Sequence, residues 1–136
     1  LPNGKVLIIC ADIEDQIMGL SPEERETFMK EIGLNKTGLS KLIKEGYDLL
    51  NLDTFFTSGP EESRAWTVKK NTLAPKAASV IHTDFEKKFI RAEAVSCEDF
   101  FKYGSSEKCK ENGKLRIEGK DYIVKDGDVL FFRVNS

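Results

Sequence analysis

Thr54-Phe55-Phe56-Thr57-Ser58-Gly59-Pro60-Glu61-Glu62-Ser63-Arg64-Ala65-Trp66-Thr67-Val68 is the stretch that decides the fold. Two runs rich in β-branched and aromatic residues flank a Gly59-Pro60 turn signal, which predicts an antiparallel hairpin. On its second strand Arg64, Trp66 and Val68 share one face, while Ala65 and Thr67 share the other. Just beyond lies Ala74-Pro75-Lys76-Ala77-Ala78, leading to Ile81-His82-Thr83-Asp84-Phe85. Pro75 near a helix start and the cluster of alanines predict a short helix packed across the hairpin.

A hairpin, a crossing helix and then more strands are the opening of a β-grasp, or ubiquitin-like, module of the α+β class. Ile90–Val95 reads as the next strand. Cys97, Phe100 and Phe101 then recur at helical spacing, with Gly104 as the stop, and Ser105–Asn112 reads as a further helical turn or two ended by Gly113. Leu115–Glu118 and Asp121–Val124 read as short strands around Gly119. Asp126-Gly127 is a hairpin turn signal, and Asp128–Val134 is the return strand. That last strand is apolar on both faces, which places it centrally in the sheet.

The first third of the chain reads differently. Lys5-Val6-Leu7-Ile8-Ile9-Cys10 is a continuous apolar run of the kind found in strands buried on both faces. Nothing nearby offers a parallel partner, and Leu1-Pro2-Asn3-Gly4 opens without an initiator Met. The expectation is therefore a fragment whose residues 1 to about 11 are the last strand of an α/β domain. Ser21, Pro22 and Glu24 form a capping-box start for a helix that runs through Phe28 and Ile32 to Gly33. A second helix from about Leu39 carries Leu39, Leu42, Ile43, Tyr47 and Leu50 on one apolar stripe, read as core-facing. The expected organisation is a strand and two helices over residues 1–50, followed by a β-grasp domain over residues 51–136.

Composition narrows the function classes. The chain has 136 residues and a net charge of −2. Residues 1–53 carry 6 Lys+Arg against 10 Asp+Glu, whereas residues 54–136 carry 15 against 13. That small excess permits a local basic patch without demanding one. Cys10, Cys97 and Cys109 are odd in number and lack CxxC spacing, as expected of reduced thiols in a cytoplasmic protein. No apolar run approaches the ~20 residues needed to span a bilayer, so no membrane partner is expected.

With these motifs in order, the chain resembles the C-terminal part of the YchF/Obg-like ATPase family. The resemblance rests on Phe55–Glu62, Arg64–Thr67, Ala74–Ala78, Ile81–Glu86, Phe89–Glu93, Glu118–Tyr122 and Asp126–Asp128. It implies a TGS domain, a β-grasp module also found in threonyl-tRNA synthetase and the stringent-response synthetases. Residues 1–50 would then be the end of a P-loop nucleotide-binding domain. Cys10-Ala11-Asp12-Ile13-Glu14 falls where the family has its last nucleotide-base loop, so the resemblance implies a backbone base contact at Cys10 and Ala11. Asn71, Ser79 and Lys88 stand where the family often has Gly, and Asn71 is the one of the three best suited to a left-handed backbone.

The 136 residues hold no GxxxxGK[ST] phosphate loop and no Asn-x-x-Glu segment, so no catalytic residue or metal ligand is expected in this chain. ATP or GTP with Mg²⁺ would belong to the parent protein, through the missing N-terminal P-loop domain. The implied partners are RNA and the ribosome, with Arg64, Lys69, Lys70, Arg91, Arg116 and Lys120 as candidate contacts. A sheet could gather Arg64, Arg91, Arg116 and Lys120 into one patch. The alternative is a ubiquitin-like protein-interaction module that binds no RNA. His82 with Asp84, and Glu61 with Glu62, look like chemistry. A helix-terminal His making local hydrogen bonds and a pair of solvated acids are the simpler readings. Trp66 offers a face for base stacking, against the simpler reading of burial under the crossing helix.

Overall fold

The computed structural model describes residues 4–59 and 61–135. They fall into two compact units, Leu1–Leu50 and Asn51–Ser136. Pro60, and with it part of the expected Gly-Pro turn, lies outside the described residues, as does Leu1-Pro2-Asn3.

The first unit is helical: α1 (Ala11–Gly19), α2 (Pro22–Glu31) and α3 (Gly38–Leu49). The capping box forms as the sequence predicts, with Ser21 Oγ accepting from the Glu24 N–H and Glu24 accepting from the Ser21 N–H. The expected strand is absent from residues 4–10, where Val6 and Ile8 stand 88% and 89% exposed. A strand exists by pairing, and no described segment of this unit offers a partner. Among its described residues the unit is thus three helices rather than a strand and two helices, because Asp12–Asp15 belongs to α1. The core-facing expectation for α3 also needs correction, since Leu39, Leu42 and Ile43 stay about half exposed at 55%, 51% and 54%. Its start is nonetheless fixed, with Glu14 accepting from the Gly38 and Leu39 N–H groups at 2.6 and 3.3 Å. A Cβ on Gly38 would lie 2.8 Å from Ile9 Cγ2 and 2.9 Å from Glu14 Oε1, so any larger residue would make these side chains shift.

The second unit is built on a five-stranded mixed sheet. The strands β1 (Leu52–Ser58) and β2 (Ser63–Lys69) form the expected hairpin, in unbroken register from Leu52↔Lys69 to Ser58↔Ser63. Next come α4 (Ala74–Ile81), the short α5 (Phe85–Lys88) and β3 (Phe89–Ser96). Asn71 sits at φ 65°, the left-handed backbone expected of it. After β3 follow α6 (Cys97–Tyr103), α7 (Ser106–Glu111), β4 (Arg116–Glu118) and β5 (Asp128–Val134). Gly104 and Gly113 close the two helices at φ 82° and 67°.

Strand order is β2-β1-β5-β3-β4, with β1 and β5 parallel and every other pair antiparallel. The return strand β5 is central, as its two apolar faces predict. Along α4 the buried Ala74, Ala77 and Ala78 close onto Phe55, Val68, Ala92, Ala94 and Leu130. Side chains this small let the helix come down close to the sheet. On the opposite face α6 packs against β3 and β5, at the end where Val95 and Val129 are buried.

Asp121–Val124 does not become a strand. Its backbone pairs instead with the segment entering α4, through Ala74 N–H to Tyr122 O (2.8 Å), Val124 N–H to Thr72 O (2.9 Å) and a lone bridge, Leu73↔Ile123. Both neighbours of β5 are already taken by β1 and β3, so no hairpin partner has room. The turn at Asp126-Gly127 does form, with Gly127 at φ 81° and the Asp128 N–H on Lys125 O. It delivers the chain into β5 rather than folding two strands together.

Asp128, only 3% exposed, anchors this turn. Its carboxylate accepts from Tyr122 Oη at 2.6 Å, the Lys125 N–H at 3.0 Å and Arg116 at 3.2 Å. Burial, and then the bond to Asp128, push the Tyr122 hydroxyl up to about 12 from 10.0. A group whose folded pKa is raised contributes stability below its unfolded pKa and loses it as pH climbs through the folded one. Asp128→Ala is expected to cost about 3 kcal/mol, since it strands two donors and a partly buried guanidinium. Tyr122→Phe should cost about 1 kcal/mol at neutral pH and remove the alkaline loss of stability between pH 10 and 12. Urea unfolding followed through Trp66, the single tryptophan, reads this unit alone; equal stability of Asp128→Ala and wild type would refute the anchor.

Candidate functional site

The sequence-predicted basic residues are not gathered into one patch. Arg64 lies on β2 and Arg116 on β4, the two opposite edges of the sheet, with three strands between them. Arg64 pairs with Glu62 at 2.9 Å and lies over the Trp66 ring, 5.1 Å from its centroid. Trp66 is half-buried against the core and donates from Nε1 to Thr57 Oγ1 at 2.9 Å, which fits the simpler reading of that residue. Arg116 is spent on Asp128, Glu118 and Tyr122. Lys69 and Lys70 follow one another at the end of β2, and Lys120 is exposed in the turn after β4.

Of the residues that look like chemistry, His82 and Asp84 make local contacts at the end of α4. His82 is the C-cap of α4; its N–H reaches Ala78 O, and Nδ1 accepts from the Asp84 N–H at 3.3 Å. Its ring tilts against Phe85 at 5.5 Å. Among the described residues no three His, Cys, Asp or Glu side chains group to hold a metal ion. Nor is any described helix long and apolar enough to cross a membrane. Burial pushes the Cys97 and Cys109 thiols up, away from the reactive thiolate.

What the fold does assemble lies on the sheet face away from α4. Pairing of β3 with β5 sets Arg91 opposite Arg133 and Glu93 opposite Phe131. Two like charges directly opposite are destabilising unless a carboxylate joins them. Glu93 supplies it. Arg133 donates through Nε at 3.1 Å and Nη2 at 3.0 Å, and Arg91 through Nη2 at 3.4 Å. The hydrogen bond from Arg133, with its charge and those of Arg91 behind it, holds the Glu93 carboxyl below the usual carboxylate range. The carboxylate is sunk, at 15% exposure, whereas Arg91 and Arg133 stand 49% and 58% exposed.

This triad lies in a groove of about 360 Å³, walled by Lys110 and Ser106 of α7 and by Ile117 of β4. A second hollow of about 480 Å³ adjoins it through Ser106, Glu107 and Arg133, and its lining includes Phe131 and Phe100. Of the six residues named from sequence, Arg91 alone lines this groove. Glu93, Lys110 and Arg133 escaped sequence reading. Arg91 and Glu93 do alternate on one strand face, but nothing in the sequence sets β5 beside β3 in the register that brings Arg133 across.

Comparison with known proteins gives a consistent likeness. Residues 52–135 match the family YchF-GTPase_C, described as a protein of unknown function (DUF933). The chain is 54% identical over 134 residues to the ribosome-binding ATPase YchF of Haemophilus influenzae, covering 98% of this chain and 37% of that protein. It is 50% identical over 133 residues to the Bacillus subtilis protein of the same name, covering 98% and 36%. Obg-like ATPase 1 of Pongo abelii is 47% identical over 135 residues, covering 99% and 34%. The solved YchF GTPase of Schizosaccharomyces pombe superposes with a TM-score of 0.74 at 38% identity, over 92% of this chain and 33% of that one. The chain thus spans about a third of the length of these relatives.

The triad makes a direct prediction. Glu93→Gln, Arg133→Gln and the double variant, unfolded in urea, should give a coupling energy of about 1 kcal/mol, the upper range for an exposed pair. Additive single effects would mean that Glu93 does not hold the guanidinium group in solution.

Proposed function

Because the chain belongs to the YchF/Obg-like ATPase family, matching its C-terminal domain, we propose that it is the recognition part of a nucleotide-dependent switch protein that contacts the ribosome through RNA. The observation that carries this reading is the 54% identity, over 98% of the chain, to a protein named a ribosome-binding ATPase. Residues 51–136 are on this reading a β-grasp domain of the TGS type. The strand order with a parallel central pair and a helix across one face supports it. Residues 1–50 are the end of the P-loop nucleotide-binding domain.

The chemistry belongs to the parent protein, where ATP or GTP with Mg²⁺ is bound and hydrolysed by a phosphate loop absent from these 136 residues. This chain's share is the base contact at Cys10 and Ala11. Cys10 caps α1 and Ala11 opens it, so Ala11 carries one of the first-turn N–H groups that a helix leaves without an internal partner. Nucleotide state in the parent would reposition the recognition domain on the ribosome, in the cytoplasm.

Binding through RNA phosphates releases counterions, so it must weaken with salt. The chain is expected to sediment with purified ribosomes at about 50 mM salt and to lose roughly tenfold in affinity by about 200 mM. Affinity unchanged across that range would favour the ubiquitin-like reading, a protein contact without RNA.

A further inference from the structure

We propose that the Arg91–Glu93–Arg133 groove on the open sheet face holds a phosphate of single-stranded RNA, with the adjoining base lying against Phe131. The proposal rests on the ribosome-contacting reading above and names its site.

Charge is layered in this groove. One carboxylate sits beneath two guanidinium groups, so an approaching ligand meets N–H donors and a net positive charge. No such excess occurs at Arg64, whose partner Glu62 is as exposed as the arginine itself, at 62% against 53%. At Arg116 the balance is reversed, with two carboxylates on one guanidinium. Lys110 adds a third cation to the groove wall. Glu107 also lines it, and hydrogen bonds from its own backbone N–H and Ser105 favour its charged form, so three cations face two carboxylates and the lining keeps one net positive charge.

The layering also orients. A guanidinium held along one edge by Glu93 is a planar fork fixed in direction, the geometry that suits a phosphate oxygen pair. Glu93 is therefore a positioning residue rather than an electrostatic cost. Phe131 and Phe100 supply an apolar floor beside the cations. Aromatic rings on a sheet face take bases of any identity, since every base has a π-face. Cations alone would suit an acidic peptide equally well; cations beside aromatic rings favour a nucleotide.

The test uses the 136-residue chain and a fluorescein-labelled single-stranded RNA of mixed sequence, about ten nucleotides long. Arg91→Glu with Arg133→Glu should lower its affinity at least tenfold and flatten the salt slope by about 0.7 for each phosphate no longer neutralised. Phe131→Leu should weaken binding about tenfold and leave the slope unchanged. Glu93→Gln should also weaken it, although it adds one net positive charge; tighter binding would show that charge alone matters. Should the charge reversal disturb the Trp66 unfolding curve, Arg91→Gln with Arg133→Gln replaces it. No RNA binding by wild type, undiminished binding by the double variant, or equal displacement by polyglutamate would each overturn the proposal. Ribosome sedimentation separates the two levels. A double variant that still sediments removes this groove alone, whereas a wild type that never sediments removes the ribosomal reading.

Discussion

The buried carboxylate of Asp128 is the constraint on which the rest of the sheet unit depends. A carboxyl group this deep is tolerated only if its hydrogen-bond partners are in place, because each missing partner leaves it dehydrated and unpaired. Tyr122, the Lys125 N–H and Arg116 meet that demand, and in doing so they fix where residues 119–128 run. That segment has almost no regular structure, yet it is tied on every side. Tyr122 O holds the start of α4, and Asp126 accepts from the Thr54 N–H on β1. Gly127 reaches Thr54 O with its N–H, and its carbonyl accepts from the Cys97 N–H at the start of α6. One irregular segment thereby joins the beginnings of two helices to two central strands.

The two faces of the sheet then diverge in purpose. On one, the alanines of α4 bring the helix down onto Phe55 and Leu130, and Phe132 meets Phe55 and Phe89 edge-on at 5.9 and 6.1 Å. Little room remains there for a ligand. On the other, α6 packs at the end near Val95 and Val129, and β3 and β5 continue past it carrying Arg91, Glu93 and Arg133 beside α7. Ile117, 69% exposed on β4, marks how open this side stays. The same alternation along β3 that buries Ala92 and Ala94 thus sends the charged residues to the uncovered face.

Much of this was legible because the signals are local. Hairpin strands, the Pro75 helix start, the glycines that end α6 and α7, and the left-handed Asn71 all act within a few residues of themselves. So does the capping box at Ser21. What escaped was set by partners distant in sequence. Lys5–Cys10 has the composition of a buried strand but no strand beside it, and Asp121–Val124 has the alternation of one but spends its hydrogen bonds on Thr72 and Ala74. The first helix was hidden because Cys10 makes no side-chain cap, leaving its start without a polar marker. The groove was hidden more deeply. Its triad joins residues 40 apart in the chain, and a shift of one position in the β3–β5 register would have sent Arg133 to the other face.

The parallel pairing of β1 with β5 carries a mechanical meaning. These are the first and last strands of the unit, they run side by side at its centre, and they point the same way. The chain therefore enters the sheet at one end and leaves it at the other. Tension applied through the two ends pulls β1 and β5 past each other, loading their pairing at Phe56 and Val129 in shear. The edge strands β2 and β4 lie outside that line of force. Arg133 rides on β5 itself, with Arg91 opposite it on β3, so a pull along the polypeptide reaches the surface that carries them.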